Sequence, residues 1–369
     1  MNGLKCAAIH GGRKCFFRRQ VNFLLTLILI SGKSDQCKFC DSIAYESHTM
    51  KYTPPALRKS LSTLLPLCLV AGTAHAEENL WLYVQGTDTR PKDSWELKLS
   101  DISRFDKGSG QYTFNDIRPE VEYGITDRLT VGAEIMIFDH HYSVDNPDLN
   151  PMFDTQGGVG GEYDKTQYGG YELSLKYNIF SPYKNFMGLS VGFAFEHREA
   201  YRLDGAEIDQ DSFVPIVYLQ KNFLDNTLVT SFKGKIEFER RESPGVLEEE
   251  IALDLAAGIA YRFMPKWYVG FEVRYQSDFL SPEVAGKPPD GGQQSSFDLT
   301  DFTWGSQFQY GTYMGPSIHY AEEKWWVTGS VLFQVAGGGD EKRNPTISGG
   351  KVYDEHERVH LGLTVGFNF

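Results

Sequence analysis

The last eleven residues of the chain alternate strictly between apolar side chains and small or polar ones. Apolar residues hold every odd position from Val359 to Phe369, and His, Gly, Thr, Gly and Asn hold the even positions between them. A period of two is that of a β-strand, whose successive side chains point to opposite faces, and it does not fit the period of a helix. The chain therefore ends in a strand with one apolar face and one small or polar face.

This terminal strand resembles the C-terminal signal strand of bacterial outer-membrane β-barrels, which typically ends in Phe or Trp. Phe367 and Phe369 carry the resemblance. About ten residues is also the length that a tilted strand needs to cross a bilayer. The resemblance implies a barrel in the bacterial outer membrane, in contact with outer-membrane lipid and lipopolysaccharide. It also implies that the barrel-assembly machinery recognises the C-terminal strand.

The composition of the chain allows a barrel and excludes a helical membrane protein. Only 41 % of the 369 residues are hydrophobic, and no stretch reaches the roughly 18 apolar residues of a spanning helix. A transmembrane barrel needs apolar residues only at alternate positions of each strand. The low mean hydropathy of -0.36 is therefore compatible with a membrane protein that crosses with strands.

Residues 50–76 have the three parts of a secretory signal peptide. A basic start precedes the short apolar run 61–72, and Ala74-His75-Ala76 is a small-x-small cleavage site. We expect Sec-type export and cleavage after Ala76. Residues 1–49 stand upstream of this complete signal, and we interpret them as a gene-model extension that the mature protein lacks.

All five cysteines lie in the first 68 residues, so the expected mature chain has none. Cys37 and Cys40 have the C-x-x-C spacing of a metal or redox motif, but they fall in the part that we expect to be absent. Ten of the 36 basic and three of the 49 acidic residues precede residue 77, which leaves 26 basic and 46 acidic groups. The resulting net charge of -20 argues against nucleic acid as a partner.

Twelve segments after residue 93 have the period of a strand. They are 94–103, 112–125, 129–141, 168–180, 187–199, 211–223, 228–241, 248–263, 267–278, 306–320, 325–336 and 356–369. The sequence thus predicts an all-β fold, a single antiparallel transmembrane β-barrel of about twelve strands over residues 94–369. The sequence leaves the structure of residues 77–93 open. Residues 80–84 can pair as a short strand, or the whole segment can be periplasmic or lumenal.

The connections between these segments alternate in length. Short ones such as 126–128 and 264–266 alternate with longer ones such as 142–167 and 279–305, and 242–247 is an exception. Short periplasmic turns and longer extracellular loops are typical of outer-membrane barrels. Aromatic residues crowd the short turns and predict a girdle at the membrane boundary: Phe180, Tyr183, Phe186, Phe263, Trp267, Tyr268, Tyr320, Trp325 and Trp326. Prolines within three strands predict bulges: Pro119, Pro215 and Pro316.

Apolar faces turned toward lipid leave a charged inner face. Its eleven acidic candidates are Glu96, Asp116, Glu120, Glu122, Glu134, Glu172, Glu196, Glu237, Glu239, Asp254 and Glu272. Its nine basic candidates are Lys98, Arg118, Lys176, Arg198, Lys233, Lys235, Arg241, Arg262 and Arg274. Such charges tolerate burial only when they are paired or hydrated. The ion pairs either line a narrow water-filled pore or fill the lumen and close it.

Motifs for catalysis or ligand binding are scarce. His140, His141 and Ser143 form the one local Ser/His cluster, and its place at a strand end favours a polar rim over an active site. The Gly-rich stretch 157–161 lacks the strand-and-helix context of a phosphate loop. The acidic long loops can in principle hold divalent cations, but we interpret them as a solvated rim. We therefore predict no catalytic residue, cofactor or metal site.

Two segments, Tyr123–Ala133 and 117–120, resemble a group of uncharacterised Gram-negative barrels. Members of that group are often described as putative outer-membrane transporters, including ones encoded near aromatic-degradation genes. The resemblance implies location and architecture and does not imply a ligand. The expected function is a passive channel or solute-uptake pore of unknown substrate. The alternative is a closed barrel with a structural or adhesive role, or a membrane-embedded lipid-modifying enzyme.

Overall fold

The computed structural model describes residues 79–107, 110–143, 162–243, 246–280, 307–339, 350–351, 353 and 356–369. All regular structure in these residues is β-strand. None of them belongs to a helix that is long and apolar enough to cross a membrane. The Gly-rich stretch and most of the long acidic loops of the sequence lie outside the described residues.

Twelve antiparallel strands close into one barrel, so the predicted fold class and strand count are confirmed. The strands are β1 Trp95–Phe105, β2 Gln111–Thr126, β3 Leu129–Ser143, β4 Glu162–Phe180, β5 Gly188–Ala200, β6 Glu207–Phe223, β7 Leu228–Ser243, β8 Val246–Met264, β9 Trp267–Leu280, β10 Gln307–Ala321, β11 Trp325–Gly339 and β12 Val359–Asn368. Each strand pairs with its neighbours in sequence, and β1 pairs with β12.

The seam between β1 and β12 uses the last residue of the chain. The backbone N–H of Phe369 donates to Trp95 O over 2.9 Å, and the N–H of Trp95 donates to Phe369 O over 3.1 Å. From this point the register runs without a break to Phe105 opposite Val359. Closure leaves no unpaired strand edge, which is the condition for a sheet in lipid.

The barrel is apolar outside, and many of its inward positions hold small or polar residues. Large apolar side chains at alternate strand positions are exposed, among them Leu99, Ile135 and Leu173. The intervening positions are buried, and in β12 they include the glycines whose alternation the sequence shows. An exterior of exposed apolar residues fits lipid rather than water.

The strand connections differ between the two ends of the barrel. The end that holds Trp95 and Phe369 has the short connections 127–128, 181–187, 224–227, 265–266 and 322–324, and we call it the turn end. The opposite end, the loop end, has most of the longer connections. Exposed aromatic residues gather at the turn end: Trp95, Phe180, Tyr183, Phe186, Phe263, Trp267 and Phe369.

Two residues predicted for the aromatic girdle lie inside the barrel instead. Trp326 is fully buried, and its indole N–H donates to Glu96 Oε1 over 2.7 Å. Tyr268 packs beside His319, with ring centres 5.8 Å apart. Each follows another aromatic residue, Trp325 or Trp267, and adjacent residues of a strand face opposite sides.

The prediction of bulges at the three strand prolines is wrong. Pro119, Pro215 and Pro316 each pair with one neighbouring strand without a register shift. On the other side the pairing skips the proline and resumes in the same register. A proline removes one N–H donor from the ladder, but this loss does not require an extra residue. Register shifts occur elsewhere, for example between Met136 and Ile137.

Candidate functional site

Residues 79–93 lie inside the barrel near the turn end, and we call them the inner belt. Residues 80–84 form no strand. The belt backbone is instead hydrogen-bonded to side chains from eight strands of the wall, and four of these bonds mark its path. These bonds join Leu80 O to Ser317 Oγ of β10 (2.9 Å), Gln85 O to Ser231 Oγ of β7 (2.8 Å), Thr87 O to Asn178 Nδ2 of β4 (2.7 Å) and Arg90 N to Thr130 Oγ1 of β3 (2.8 Å). The belt therefore follows the inner circumference of the barrel.

The carboxylate of Glu272 fixes the middle of the belt. It accepts hydrogen bonds from the backbone N–H groups of Leu82, Tyr83 and Val84, over 3.1, 2.8 and 2.7 Å. Glu272 is on the list of predicted lumenal charges and is fully buried. Bonds from N–H groups to an ionised acceptor are about twice as strong as neutral ones. Glu272 therefore holds the belt, and it forms no ion pair with any residue that the structure describes.

Glycines of the wall provide the space for belt side chains. A Cβ added to Gly258 would lie 2.5 Å from Trp81 Cε2, and one added to Gly362 would lie 2.0 Å from Leu82 Cδ1. Both distances are too short for any larger residue unless the belt moves. The small residues at alternate positions of the last strand thus have a packing partner inside the barrel.

Arg90 ties the end of the belt to the seam of the barrel. Its guanidinium forms a fully buried ion pair with Glu96 over 3.0 Å. It also donates to Asn368 Oδ1 over 3.0 Å and to Trp95 O over 3.1 Å. The contacts join the belt to both β1 and β12, so belt and barrel closure support one another.

Most of the predicted lumenal charges form ion pairs, either within one strand or between strands of the wall. Lys98 pairs with Glu120 (2.9 Å) and Glu122 (2.7 Å), Arg118 with Asp116 (2.7 Å) and Glu134 (2.8 Å), Arg198 with Glu196, Glu237 (2.9 Å) and Glu239 (3.4 Å), Lys235 with Glu237 (3.2 Å), and Arg274 with Asp254 (2.6 Å). The twist of the barrel brings these side chains together, and pairing offsets the cost of their burial.

The other predicted charges have different surroundings. Lys176 and Lys233 flank the ring of Tyr218, with Nζ to ring-centre distances of 4.6 and 5.9 Å. Glu172 lines the lumenal cavity on the neighbouring part of the wall. Arg241 lies 4.2 Å over the ring of Tyr201. Arg262 is half-buried beside the short connection that precedes β9.

An aromatic cluster occupies the lumen at the loop end. Its buried members come from β2 and β3, namely Tyr112, Phe114, Met136, Phe138 and Tyr142. The connection 201–206 folds inward onto this cluster. Tyr112 Oη donates to Leu203 O over 3.1 Å, and Tyr142 Oη donates to Asp204 O over 2.9 Å.

The Ser/His cluster of the sequence is split between two faces. His140 lies within the aromatic cluster, with its ring stacked 4.4 Å from Phe114 and its Nε2 2.9 Å from Arg202 O. His141 is exposed, with Nδ1 3.4 Å from Asp164 Oδ2. Because adjacent strand residues point to opposite sides, the two histidines cannot serve one reacting group.

A polar network adjoins the aromatic cluster at the loop end, where Lys107 Nζ lies 4.8 Å from the ring centre of Tyr112. Glu357 lies 3.5 Å from Lys107 Nζ and 3.2 Å from His360 Nε2. Burial raises the pKa of Glu357, but Lys107 and the hydrogen bond with His360 outweigh burial and hold that pKa well below its usual range. Burial lowers the pKa of the neighbouring His356 to about 3, so this imidazole is neutral near pH 7.

Between the inner belt and the aromatic cluster lies a cavity of about 200 Å³. The belt contributes Tyr83 and Gln85 to its wall. The ion-pair network and an apolar patch on β6 are also part of the wall. Strand β6 fits poorly to simple alternation in the sequence because Val214 and Ile216 on its inner face are apolar, and both line this cavity.

The sequence of the barrel identifies the family of this chain. Residues 73–369 match the model of a family described as "Family of unknown function (DUF6662)". The chain belongs to this family. No curated protein matches the sequence. Membership of DUF6662 confirms the expectation of an uncharacterised family and assigns no substrate.

Solved structures resemble the DUF6662 barrel in fold. The COG4313 outer membrane channel from Pseudomonas putida F1 matches with a TM-score of 0.50 at 10 % identity, over 77 % of this chain and 98 % of that chain. The NanC porin matches with a TM-score of 0.40 at 9 % identity, over 73 % of this chain and 98 % of that one. At such identities the first likeness shows the fold alone, which is that of an outer-membrane barrel.

Several lumenal residues escaped prediction. Arg104 pairs with Asp116 over 3.6 Å, and Arg202 pairs with Glu196 over 3.2 Å. Arg104 continues the inward alternation of β1 but lies one residue beyond the predicted strand. Arg202 sits in a connection, where no periodicity indicates direction. The sequence did not predict the position of the belt residues, which form the unassigned segment before the first strand.

One group of side chains in the described residues has the spacing of a metal site. Ligand atoms of His197, Asp209 and Asp211 lie within 4.8 Å of one another. All three occupy outward-facing positions near the loop end, since their strand neighbours Glu196 and Gln210 face the lumen. Exposed clusters of this kind are common on protein rims, and we assign no ion to it.

Proposed function

We propose that this protein is a passive channel for small polar solutes in the bacterial outer membrane. The observation that carries the proposal is the lumenal cavity of about 200 Å³, whose wall holds charged groups from most of the strands. The apolar exterior and the aromatic turn end support residence in a membrane. The leader at residues 50–76 supports Sec-type export, and the seam made by Phe369 supports recognition of the last strand by the assembly machinery.

The chemistry of the wall favours water and polar solutes over a dry core. Arg118, Glu134 and Arg202 all border the cavity. A barrel that served only as a scaffold could fill the same space with apolar side chains at lower cost, since a buried ion pair is often no more stable than its apolar replacement. Twelve strands also make a wider lumen than the eight that side chains fill.

The inner belt sets the width of the proposed path at the turn end. Its backbone follows the wall, and Tyr83 and Gln85 extend from it into the cavity. A barrel of twelve strands with this lining has room for small solutes and excludes large ones. We infer that transport is limited to molecules of about monosaccharide size.

A closed barrel with a structural role remains the second candidate because of one observation. Arg198 pairs with both Glu196 and Glu237 deep in the lumen, and each of the three side chains is at most 5 % exposed. Pairs this dry fit a filled lumen as well as a narrow pore. The two candidates differ in whether solutes cross the barrel.

Proteoliposome swelling distinguishes these candidates. Liposomes that contain the refolded barrel are exposed to iso-osmotic solutions of uncharged solutes of graded size, from glycerol to a disaccharide. A channel lets the liposomes swell with the smaller solutes and not with the disaccharide. Liposomes with heat-denatured protein provide the control. The same slow rate with folded and denatured protein for every solute contradicts the proposal and favours the closed barrel.

A further inference from the structure

One wall of the cavity combines two ammonium groups with a tyrosine. Lys176 of β4 and Lys233 of β7 both border the cavity, and their Nζ atoms lie 4.6 and 5.9 Å from the centre of the Tyr218 ring on β6. Between them on β5 stands Gly192, where an added Cβ would lie 3.0 Å from Tyr218 Cε2. The missing side chain at Gly192 lets the tyrosine lean toward Lys176.

Lys233 differs from most cations of the cavity wall. Arg104, Arg118, Arg202, Lys235 and Arg274 each have a carboxylate within 4.0 Å. Within the described part of the chain, Lys233 has none, and its Nζ donates a hydrogen bond to Gln85 Oε1 over 3.1 Å. An amide oxygen satisfies one donor and supplies no opposite charge.

The hydroxyl of Tyr218 is a further available donor. Tyr218 is 5 % exposed and lines the cavity, and no described residue forms a hydrogen bond with its Oη. Buried polar groups of native proteins usually have a partner, and those without one often mark a ligand or a water. Two lysine side chains and one hydroxyl at the same place can donate hydrogen bonds to the acceptor oxygens of an oxyanion.

An apolar surface adjoins this polar group. Ile216 is the next inward-facing residue of β6 after Tyr218, and Val214 follows it. Ala194 pairs with Val214 across β5 and β6 and borders the same cavity. A ligand whose oxyanion lies at the lysines would therefore place its body on aliphatic side chains.

We propose that Lys176, Lys233 and Tyr218 bind the carboxylate of a small organic acid whose apolar body lies on Val214 and Ile216. The inference rests on the proposed channel, for which it names a class of solute. Glu172 borders the same cavity and opposes the anion. It keeps the local field moderate, so that an anion enters and leaves instead of remaining bound.

Calorimetry on the refolded barrel in detergent tests the subsite with three probes, butyrate, acetate and inorganic phosphate. We expect one butyrate per chain. Lys233→Gln and Lys176→Gln should each weaken butyrate binding roughly tenfold, the worth of a charge-assisted hydrogen bond. Glu172→Gln should tighten it. Butyrate should bind roughly fifteenfold more tightly than acetate because two added CH₂ groups meet the apolar patch.

The control is Lys221→Gln, which removes a lysine from the outer face of β6 and should leave butyrate binding unchanged. Lys233→Arg keeps the charge and should retain most of the affinity. Heat-modifiable migration of each variant verifies that it is folded. If a glutamine variant does not fold, the Lys233→Arg variant still tests whether charge at this position supports butyrate binding. Absence of butyrate binding, equal binding by all variants, or phosphate binding as tight as that of butyrate overturns the inference.

Failure of the subsite and failure of the channel give different results. A barrel that passes solutes but binds butyrate equally in all variants contradicts the subsite alone. A barrel that passes no solute but binds butyrate through Lys233 contradicts the channel and retains the carboxylate site.

Discussion

Trp81 lies flat against Gly258 on the inner wall of the barrel. A Cβ at Gly258 would stand 2.5 Å from Trp81 Cε2 and 2.6 Å from its Nε1. The indole N–H donates to the carbonyl of the next wall residue, Ile259, over 3.2 Å. The fit of one ring to one missing side chain holds the start of the inner belt in the lumen, and several expectations depend on it.

Gly258→Leu should displace the belt without opening the barrel, because the new side chain takes the space of Trp81. Val84 is fully buried, and the expected mature chain has no cysteine. A Val84→Cys probe should therefore resist a maleimide reagent in the native barrel and react with it after Gly258→Leu. Gly329→Leu is the matched control, since a Cβ there meets only Ile318 Cγ2, at 3.8 Å. Equal labelling of both variants would contradict the role of Gly258.

Glu272→Gln should loosen the same belt by an electrostatic route. The amide keeps one oxygen acceptor but loses the charge that three backbone N–H groups share. We expect the free energy of unfolding in urea to fall by about 1–3 kcal/mol, the cost of buried groups left without a partner. Glu323→Gln changes an exposed residue of a short turn and should alter this value by less than about 0.5 kcal/mol. An equal loss in both variants would argue against a special role of Glu272.

Deletion of Phe369 should impair assembly because it removes two backbone hydrogen bonds of the seam with Trp95. The open edge would then begin at the turn end, where the last strand meets the first. We expect less folded protein in the outer membrane, measured as the heat-modifiable fraction after electrophoresis. Phe369→Trp keeps the backbone and an aromatic side chain and should assemble normally. Normal assembly of the deletion would show that the terminal residue is dispensable.

Acid should weaken the loop end through His356. Burial lowers its pKa from 6.5 to about 3, so the unfolded chain binds a proton at higher pH than the folded barrel does. The contribution of this group is fully present above pH 6.5 and is lost as the pH falls toward 3. His356→Gln should therefore show a smaller decrease in unfolding free energy across this range, with a difference of a few kcal/mol at most. Parallel pH profiles of the two proteins would exclude His356 as the cause.

Reversal of the charge at Lys233 and at Lys235 should have different effects on stability. Lys235 Nζ lies 3.2 Å from Glu237 Oε2, so Lys235→Glu places like charges together and should cost about 3 kcal/mol of stability. Lys233 forms no ion pair with the residues that the structure describes. Lys233→Glu should preserve stability and shift ion preference toward cations, measured as the reversal potential in a KCl gradient. Equal changes in stability and in ion preference for the two substitutions would mean that Lys233 and Lys235 do not differ in ion pairing.

Strand alternation made the barrel predictable from sequence, and contacts between distant segments made the lumen hard to predict. The period of two places Lys98 and Glu120 on the inner face, and the pairing of successive strands brings them together. Nothing local in residues 79–93 specifies their position. Their site is set by glycines and by Glu272, more than 150 residues away in the chain.

Composition alone also does not show which of two adjacent aromatic residues faces the lumen. Trp325 and Trp326 look alike in sequence, yet one lies toward the outside and the other bonds to Glu96 inside. Only the strand parity decides between them. The Ser/His cluster was separated for the same reason, with His140 buried in the lumen and His141 exposed.

The claim that the lumen conducts is tested most directly by single-channel recording of the refolded barrel, residues 77–369, in a planar bilayer. The account predicts discrete current steps in KCl, with larger steps when Gly258→Leu displaces the belt that narrows the turn end. A bilayer that stays silent with both proteins, while their heat-modifiable migration shows them folded, would contradict it.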